Sequence, residues 1–213
     1  IRVFIQYEDF GKANVNPAKL DKLNDLLDTA ENVDLKVIVT LFDFYGDYTI
    51  LNWTLTHRHA EAIVSKFKDH KAILAWDIKN EPDLDFTSRG KDLVLSWLKS
   101  MIDNIKNIDP NHGVTIGWAK SKNAVLLKDK VDLVSFHYYE NIHELENKYK
   151  QMKIDIPNKP LMLGEYGVSS YKGFWKPFGG SEENQSDFHK EMQNIFKRNN
   201  IQYMSWTLYD FIK

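Results

Sequence analysis

The sequence predicts an α/β protein in which the strands of a parallel sheet alternate with crossover helices. Seven short apolar segments rich in β-branched residues are candidate strands, and several are apolar on both faces, as buried parallel strands are. Helical patterns separate them, so the order strand, helix, strand repeats along the chain. The candidate strands are residues 1–6, 35–42, 72–79, 112–118, 131–138, 160–165 and 201–207.

Helical periodicity is clearest in four segments. The first begins at Asn16-Pro17, an N-terminal cap followed by proline at the first helical position. In each segment, apolar residues recur every third or fourth position, which places an apolar stripe on one face. The predicted helices are residues 17–32, 56–69, 88–107 and 184–199, with shorter helices near 121–128 and 142–153.

Two architectures fit this order: an open doubly wound sheet and a closed (β/α)8 TIM barrel. A barrel needs eight strands and typically about 250 residues, whereas this chain offers seven candidate strands in 213 residues and begins at Ile1 inside a strand-like run. An open sheet more often carries a glycine-rich phosphate loop, and no such pattern occurs. We therefore expect a (β/α)8 TIM barrel lacking its first strand and helix, with residues 1–213 forming a single, N-terminally incomplete domain.

Composition argues against several classes of function. The formal net charge is -2, with basic residues scattered among acidic ones, so no nucleic-acid partner is expected. No apolar stretch approaches the roughly 20 residues of a membrane helix, so no membrane partner is expected. Cysteine is absent, which excludes disulfides and thiolate metal sites. We expect a monomer without a cofactor or a metal.

Aromatic residues make up 13% of the chain, and many lie in polar surroundings such as "FDFYGDY" and "FHYYE". Aromatic faces beside glycine and aspartate suit stacking on flat ligands better than core packing. The segment "YKGFWKPFGG", residues 171–180, is interpreted either as a lid over a substrate or as a surface loop.

Polar and aromatic side chains also collect where the predicted strands end, which is the functional face of a parallel α/β fold. Two of them, Glu81 and Glu165, are carboxylates that follow apolar runs on well-separated strands. Paired carboxylates suit glycoside hydrolysis, in which one protonates the leaving oxygen and the other attacks the anomeric carbon or activates water. Because Asn80 and Glu81 are adjacent, both can face one site only if the strand has a bulge or bend there.

Four motifs in order carry a resemblance to a known family. "WDIKNEPD" resembles the Asn-Glu-Pro signature of clan A glycoside hydrolases, and "VSFHYYEN" is similar to their sixth-strand His-x-Tyr. "LMLGEYGVSS" resembles the seventh-strand segment with the nucleophile, and "SWTLYDF" the eighth-strand tryptophan. Together they resemble the cellulase-like family 5 group, including its β-mannanase-like branch, over nearly the whole chain.

The resemblance implies a retaining mechanism with Glu81 as acid/base and Glu165 as nucleophile. It implies that Asn80 binds the sugar 2-hydroxyl, and that His137 and Tyr139 orient the substrate and the nucleophile. The expected substrate is a carbohydrate with β-linked sugars, mannan-like or glucan-like.

Four further residues complete the candidate substrate site. The resemblance implies that Trp206 forms the floor of the subsite for the cleaved sugar and that Arg2 pairs with the nucleophile. Asp43 stands where the family often has a histidine. Trp118 is a candidate substrate contact, although core packing is the favoured interpretation.

Several alternatives stay open. His137, Asp43 and Glu165 could instead bind a metal, although no H-x-H or H-E-x-x-H spacing occurs. The chain could be a non-catalytic carbohydrate-binding barrel or an inactive fragment. Asp77 and Lys79 are expected to form a buried pair. Endo or exo action is undetermined, and so is localisation, with a secreted or periplasmic protein the expectation for a polysaccharide enzyme.

Overall fold

The computed structural model describes residues 1–170 and 180–207 and contains a seven-stranded parallel sheet with its strands in sequence order. Residues 171–179, which carry most of the aromatic segment interpreted as a lid or loop, and residues 208–213 lie outside the described residues. The strands are β1 Arg2–Gln6, β2 Val37–Asp43, β3 Ile73–Asn80, β4 Gly113–Trp118, β5 Val134–Tyr138, β6 Leu161–Tyr166 and β7 Gln202–Tyr203.

Five α-helices flank the sheet in the described parts of the chain, and the four long helices predicted from periodicity are confirmed. The helix predicted near 142–153 is also present, but the one near 121–128 is wrong. That segment forms a single 3-10 turn, Ser121–Asn123, followed by further turns. The helices are α1 Pro17–Asn32, α2 Trp53–Phe67, α3 Lys91–Ile108, α4 Ile142–Asp155 and α5 Glu182–Asn199.

The sheet curls into a partial (β/α)8 barrel, as predicted, and is not an open doubly wound sheet. Phe4 on β1 and Trp206 just after β7 belong to the two edges of the sheet. Their ring centroids nevertheless lie 5.3 Å apart in an edge-to-face contact. The carboxyl ends of all seven parallel strands consequently surround one shared rim.

Two strands are shorter than predicted by more than one residue, β5 and β7. β5 begins at Val134, and just before it Asp132 contacts Val114 of β4 through both its side chain and its main chain. Oδ2 of Asp132 accepts the N–H of Val114 at 2.8 Å, and the N–H of Asp132 donates to the carbonyl oxygen of Val114 at 2.9 Å. β7 contains only Gln202 and Tyr203, but the chain continues beside β6, since the N–H of Trp206 donates to the carbonyl oxygen of Tyr166 at 2.8 Å.

An aromatic cluster fixes the loop that follows β2. Trp97 on α3 stacks on Tyr45 at a centroid distance of 5.5 Å and contacts Tyr48 edge-on at 5.3 Å. Phe42 at the end of β2 contacts the same indole at 5.1 Å. This buried cluster anchors the β2–α2 loop next to the carboxyl end of β3.

Within residues 1–170 and 180–207, no helix combines the length and the apolar character needed to span a bilayer.

Candidate active site

A distortion at the end of β3 turns two adjacent side chains toward one site. The pairing register of β3 with β4 shifts between Asp77 and Asn80. Glu81 then adopts a left-handed conformation, φ 49° and ψ 49°, which is uncommon for a residue other than glycine. Its N–H donates to the carbonyl oxygen of Gly117 at 2.7 Å, so the turn is tied to β4. The bend expected from the Asn80-Glu81 pair is present.

Glu165 on β6 is 7% exposed and receives hydrogen bonds on both carboxylate oxygens. The Nη1 of Arg2 donates to Oε1, and the hydroxyl of Tyr139 donates to Oε2 at 2.9 Å. The structure therefore brings the residues predicted to surround the nucleophile into direct contact with this carboxylate.

The two glutamates meet although their strands are not neighbours in the sheet. Each of Glu81, His137 and Glu165 has a side-chain nitrogen or oxygen atom that lies within 4.8 Å of the corresponding atoms of the other two. Glu81 follows β3 and Glu165 lies on β6, with β4 and β5 between them, so the curl of the sheet creates this proximity.

The hydrogen bonds around His137 determine its tautomer. The Nη1 of Arg2 lies 3.3 Å from Nε2 of His137, and because a guanidinium can only donate, Nε2 must accept. Nδ1 then carries the proton and donates it to Oε1 of Glu81 at 2.9 Å. This hydrogen bond holds the pKa of Glu81 below its usual value, while partial burial acts in the opposite direction.

Arg2 lies at the centre of the site and is held by a buried acid on β3. Oδ2 of Asp77 accepts from Nε and Nη2 of Arg2 at 3.0 and 2.6 Å and from the hydroxyl of Thr40 at 2.8 Å. Oδ1 accepts the N–H of Gly117 at 2.9 Å. Burial alone would lower the pKa of Arg2, but Asp77 and Glu165 together raise it.

The expected pairing of Asp77 with Lys79 is wrong. Asp77 binds Arg2, and the ion pair of Lys79 is with Asp85, at 3.5 Å. The two residues have the same parity on an ideal strand, but the register shift that begins after Asp77 separates their environments.

The amide of Asn80 is oriented by two charged partners. Its Oδ1 accepts from Nη2 of Arg2 at 3.0 Å, and its Nδ2 donates to Oδ1 of Asp43 at 3.3 Å. Asp43, at the position where the resemblance implied a histidine, thus belongs to the same hydrogen-bond network. Burial raises the pKa of Asp43.

The predicted aromatic contacts divide into two groups. Tyr139 is 50% exposed and Trp206 is 38% exposed, so both present surface at the rim. Trp118 is only 1% exposed and packs edge-on against Phe86 at 6.3 Å. This burial agrees with core packing, the favoured interpretation of Trp118, and not with its role as a candidate substrate contact.

Two glycines that the sequence reasoning missed make room for buried polar side chains. A Cβ at Gly117 would lie 2.6 Å from Nη2 of Arg2 and 3.1 Å from Nε2 of His137. A Cβ at Gly164 would lie 2.4 Å from the hydroxyl oxygen of Ser135. A glycine inside an otherwise apolar strand was the available signal, since it often marks the close approach of another group.

Replacing Gly117 by alanine is expected to displace Arg2 and lower the free energy of unfolding by about 1–3 kcal/mol, as overpacking does. Urea denaturation measures the loss. Gly46→Ala is the matched control, because a Cβ there would have Nη2 of Arg89, at 3.8 Å, as its nearest neighbour among the described residues. Equal stability of the two variants would contradict this prediction.

The trio of Glu81, His137 and Glu165 could also offer atoms to a metal ion. Its contacts favour proton transfer instead. Both nitrogens of His137 already have protein partners, and the guanidinium of Arg2 supplies a positive charge in contact with Glu165. A cation between these residues would have to displace the Nδ1 proton and would be repelled by Arg2.

A match to a known protein family covers almost the whole chain. The family model is cellulase (glycosyl hydrolase family 5), and it matches residues 1–211. The chain belongs to this family.

A curated relative of this family 5 chain is mannan endo-1,4-beta-mannosidase A of Emericella nidulans. It is 24% identical over 209 residues, an alignment covering 79% of this chain and 54% of the relative. Mannan endo-1,4-beta-mannosidase 7 of Oryza sativa subsp. japonica is 27% identical over 199 residues, covering 72% of this chain and 50% of the relative. The chain therefore spans about half the length of these two proteins.

A solved structure extends the similarity at the level of the fold. A hyperthermophilic endo-beta-1,4-glucanase, determined in complex with substrate, superposes with a TM-score of 0.74 at 19% identity. The match covers 98% of this chain and 77% of the glucanase. It supports the partial barrel architecture of the family 5 chain.

Proposed function

We propose that the chain is a retaining glycoside hydrolase that cleaves β-linked bonds in a polysaccharide or oligosaccharide. Glu81 serves as acid/base and Glu165 as nucleophile. One observation carries the proposal: single carboxylate oxygens of these residues lie within 4.8 Å of each other. Retaining enzymes separate the two carboxyl groups by about 5–5.5 Å, whereas inverting enzymes need about 6.5–9.5 Å to admit a water.

The surroundings of the two carboxylates support this division of roles. Glu165 is oriented by Arg2 and Tyr139, a charged and a neutral donor on its two oxygens. Such contacts hold a carboxylate in one orientation, which favours its attack on a bound substrate from one direction. Glu81 is less buried than Glu165, with side-chain exposures of 25% and 9%, so it is the better placed of the two to exchange a proton with water or a leaving group.

The reaction has two balanced steps. Glu165 attacks the anomeric carbon, while Glu81 gives its proton to the leaving oxygen, so that a covalent glycosyl-enzyme forms and the alcohol departs. Glu81, now a base, then takes a proton from water, and the resulting hydroxide displaces Glu165 from the sugar. Asn80, oriented by Arg2 and Asp43, binds the 2-hydroxyl, a contact that strengthens as positive charge develops on the ring.

The hydrogen bond from His137 predicts an acidic pH optimum. This bond lowers the pKa of Glu81. Because the general acid must be protonated, its pKa sets the basic limb of the kcat/KM profile, and a lower pKa moves that limb to lower pH. In His137→Phe this bond is absent, the pKa of Glu81 rises, and the basic limb should move to higher pH. A pH profile of kcat/KM measures the shift. His143→Phe, on an exposed position of α4, is the control. An unmoved basic limb in His137→Phe would rule out this explanation.

β-Mannan and β-glucan are the proposed substrates. The curated relatives described above are mannan endo-1,4-beta-mannosidases, and a structural neighbour is an endo-beta-1,4-glucanase, which supports these two classes. Tyr139 and Trp206 at the rim offer aromatic surface for the apolar faces of sugar rings.

A polysaccharide panel tests the proposed function. The purified chain should release reducing ends from β-1,4-mannan or a β-1,4-glucan, and NMR should show that the first product keeps the β configuration. Sugar binding without hydrolysis would favour a non-catalytic carbohydrate-binding barrel. An α product would show inversion and contradict the two-step mechanism.

A further inference from the structure

A buried lysine, Lys79, lies beside the turn formed by Asn80 and Glu81. Lys79 is 4% exposed, although lysine normally keeps its ammonium in water. Burial lowers the pKa of this ammonium, which the neighbouring carboxylates partly counteract. A buried cation persists only where the protein supplies acceptors, so its partners indicate what the residue does.

The partners of Lys79 connect the Asn80-Glu81 turn to the loops that follow β2 and β3. Its Nζ donates to the main-chain oxygen of Asn80 at 2.9 Å and lies 3.5 Å from Oδ2 of Asp85. The same Asp85 oxygen accepts the hydroxyl of Tyr48 at 2.5 Å. Tyr48 is buried in the aromatic cluster after β2, so Asp85 links Lys79 to that cluster.

These contacts fix the peptide group between Asn80 and Glu81 at both ends. Lys79 holds its carbonyl oxygen, and the carbonyl oxygen of Gly117 accepts its N–H at 2.7 Å. This peptide group precedes Glu81, whose left-handed backbone conformation would rarely occur in an isolated chain. The direction of the Glu81 side chain therefore depends on both hydrogen bonds.

We propose that Lys79 is a positioning residue that directs the carboxyl group of Glu81 toward the leaving oxygen. The inference rests on the proposed hydrolase function and deepens it. Lys79 makes no contact with the reacting atoms. It acts through the Asn80 carbonyl, and Asp85 and Tyr48 keep its ammonium in place.

The dependence of rate on the leaving group separates positioning from a merely structural role. A misdirected general acid slows the loss of a poor leaving group, but an activated phenolate departs without protonation. If Lys79 only stabilised the loops, its loss would change the reaction of both kinds of substrate equally.

The test uses Lys79→Met, which keeps most of the aliphatic stem and removes the donor. For cellotetraose or mannotetraose, whichever the wild type cleaves, kcat/KM should fall on the order of 10²-fold, the size expected for a group misplaced by about 1 Å. For the corresponding 2,4-dinitrophenyl β-glycoside it should change less than about threefold, because that leaving group needs no acid.

Lys36→Met is the matched control. The Nζ of Lys36 also donates to a main-chain oxygen, that of Lys71 at 2.9 Å, but at the opposite end of the sheet and on an exposed position. Both substrates should react with this variant as with the wild type. If Lys79→Met does not fold, Lys79→Met/Asp85→Asn removes both charges together and should give the same selective loss.

Equal losses on the two substrates, or no loss on either, would overturn the positioning role while leaving the hydrolase proposal intact. A wild-type chain that cleaves neither substrate would overturn the hydrolase proposal and the inference with it.

Discussion

Replacing Glu165 by glutamine is expected to reduce turnover by on the order of 10⁴–10⁶-fold, as loss of a catalytic nucleophile does. The amide has nearly the same shape and cannot form the glycosyl ester. Steady-state hydrolysis of a 2,4-dinitrophenyl β-glycoside measures the loss without depending on the general acid.

The Glu165→Gln variant should remain folded. Arg2 keeps both of its hydrogen bonds to Oδ2 of Asp77, and the hydroxyl of Tyr139 can still donate to the amide oxygen. Glu146→Gln is the control, since this glutamate is ion-paired with Lys150 on the surface of α4. Retention of more than about one hundredth of wild-type turnover in Glu165→Gln would remove Glu165 from the nucleophile role, because single catalytic residues typically cost far more.

The second large effect concerns stability. Arg2→Met should lower the free energy of unfolding by about 3–5 kcal/mol, because removing one partner of a buried ion pair leaves uncompensated charge. Asp77 and Glu165 are both buried and both lose their cation. Chemical denaturation in urea at neutral pH measures the change.

Arg58→Met provides the matched control for Arg2→Met. Arg58 is exposed on α2, and its Nη2 donates to Oδ1 of Asn14 at a long 3.4 Å, so its loss should cost less than about 0.5 kcal/mol. Arg2→Met/Asp77→Asn should recover part of the stability, since one buried charge has been removed with its partner. A single Arg2→Met variant as stable as Arg58→Met would show that the network contributes little to folding.

Much of the fold could be predicted because the physical signals are local. Buried parallel strands are apolar on both faces, and amphipathic helices repeat every 3.6 residues, so strand and helix order follow from the sequence. The rule that function gathers at the carboxyl ends of parallel strands then selects Glu81 and Glu165. Their proximity follows from the curl of the sheet.

Other features could not be predicted because they depend on pairing between distant strands. The register shift after Asp77 decides that Asp77 faces Arg2 while Lys79 faces Asp85, and parity on an ideal strand suggested otherwise. This outcome has no signature in the local sequence.

The central claim is that two glutamates at the ends of β3 and β6 carry out a two-step displacement on one glycosidic bond. Incubation with a 2-deoxy-2-fluoro β-glycoside carrying an activated leaving group, followed by peptide mass spectrometry, tests it most directly. A single glycosyl ester should form on Glu165 and be absent from Glu165→Gln. Ester formation on Glu81 or elsewhere, or turnover of the reagent by an enzyme that never becomes labelled, would contradict the assignment.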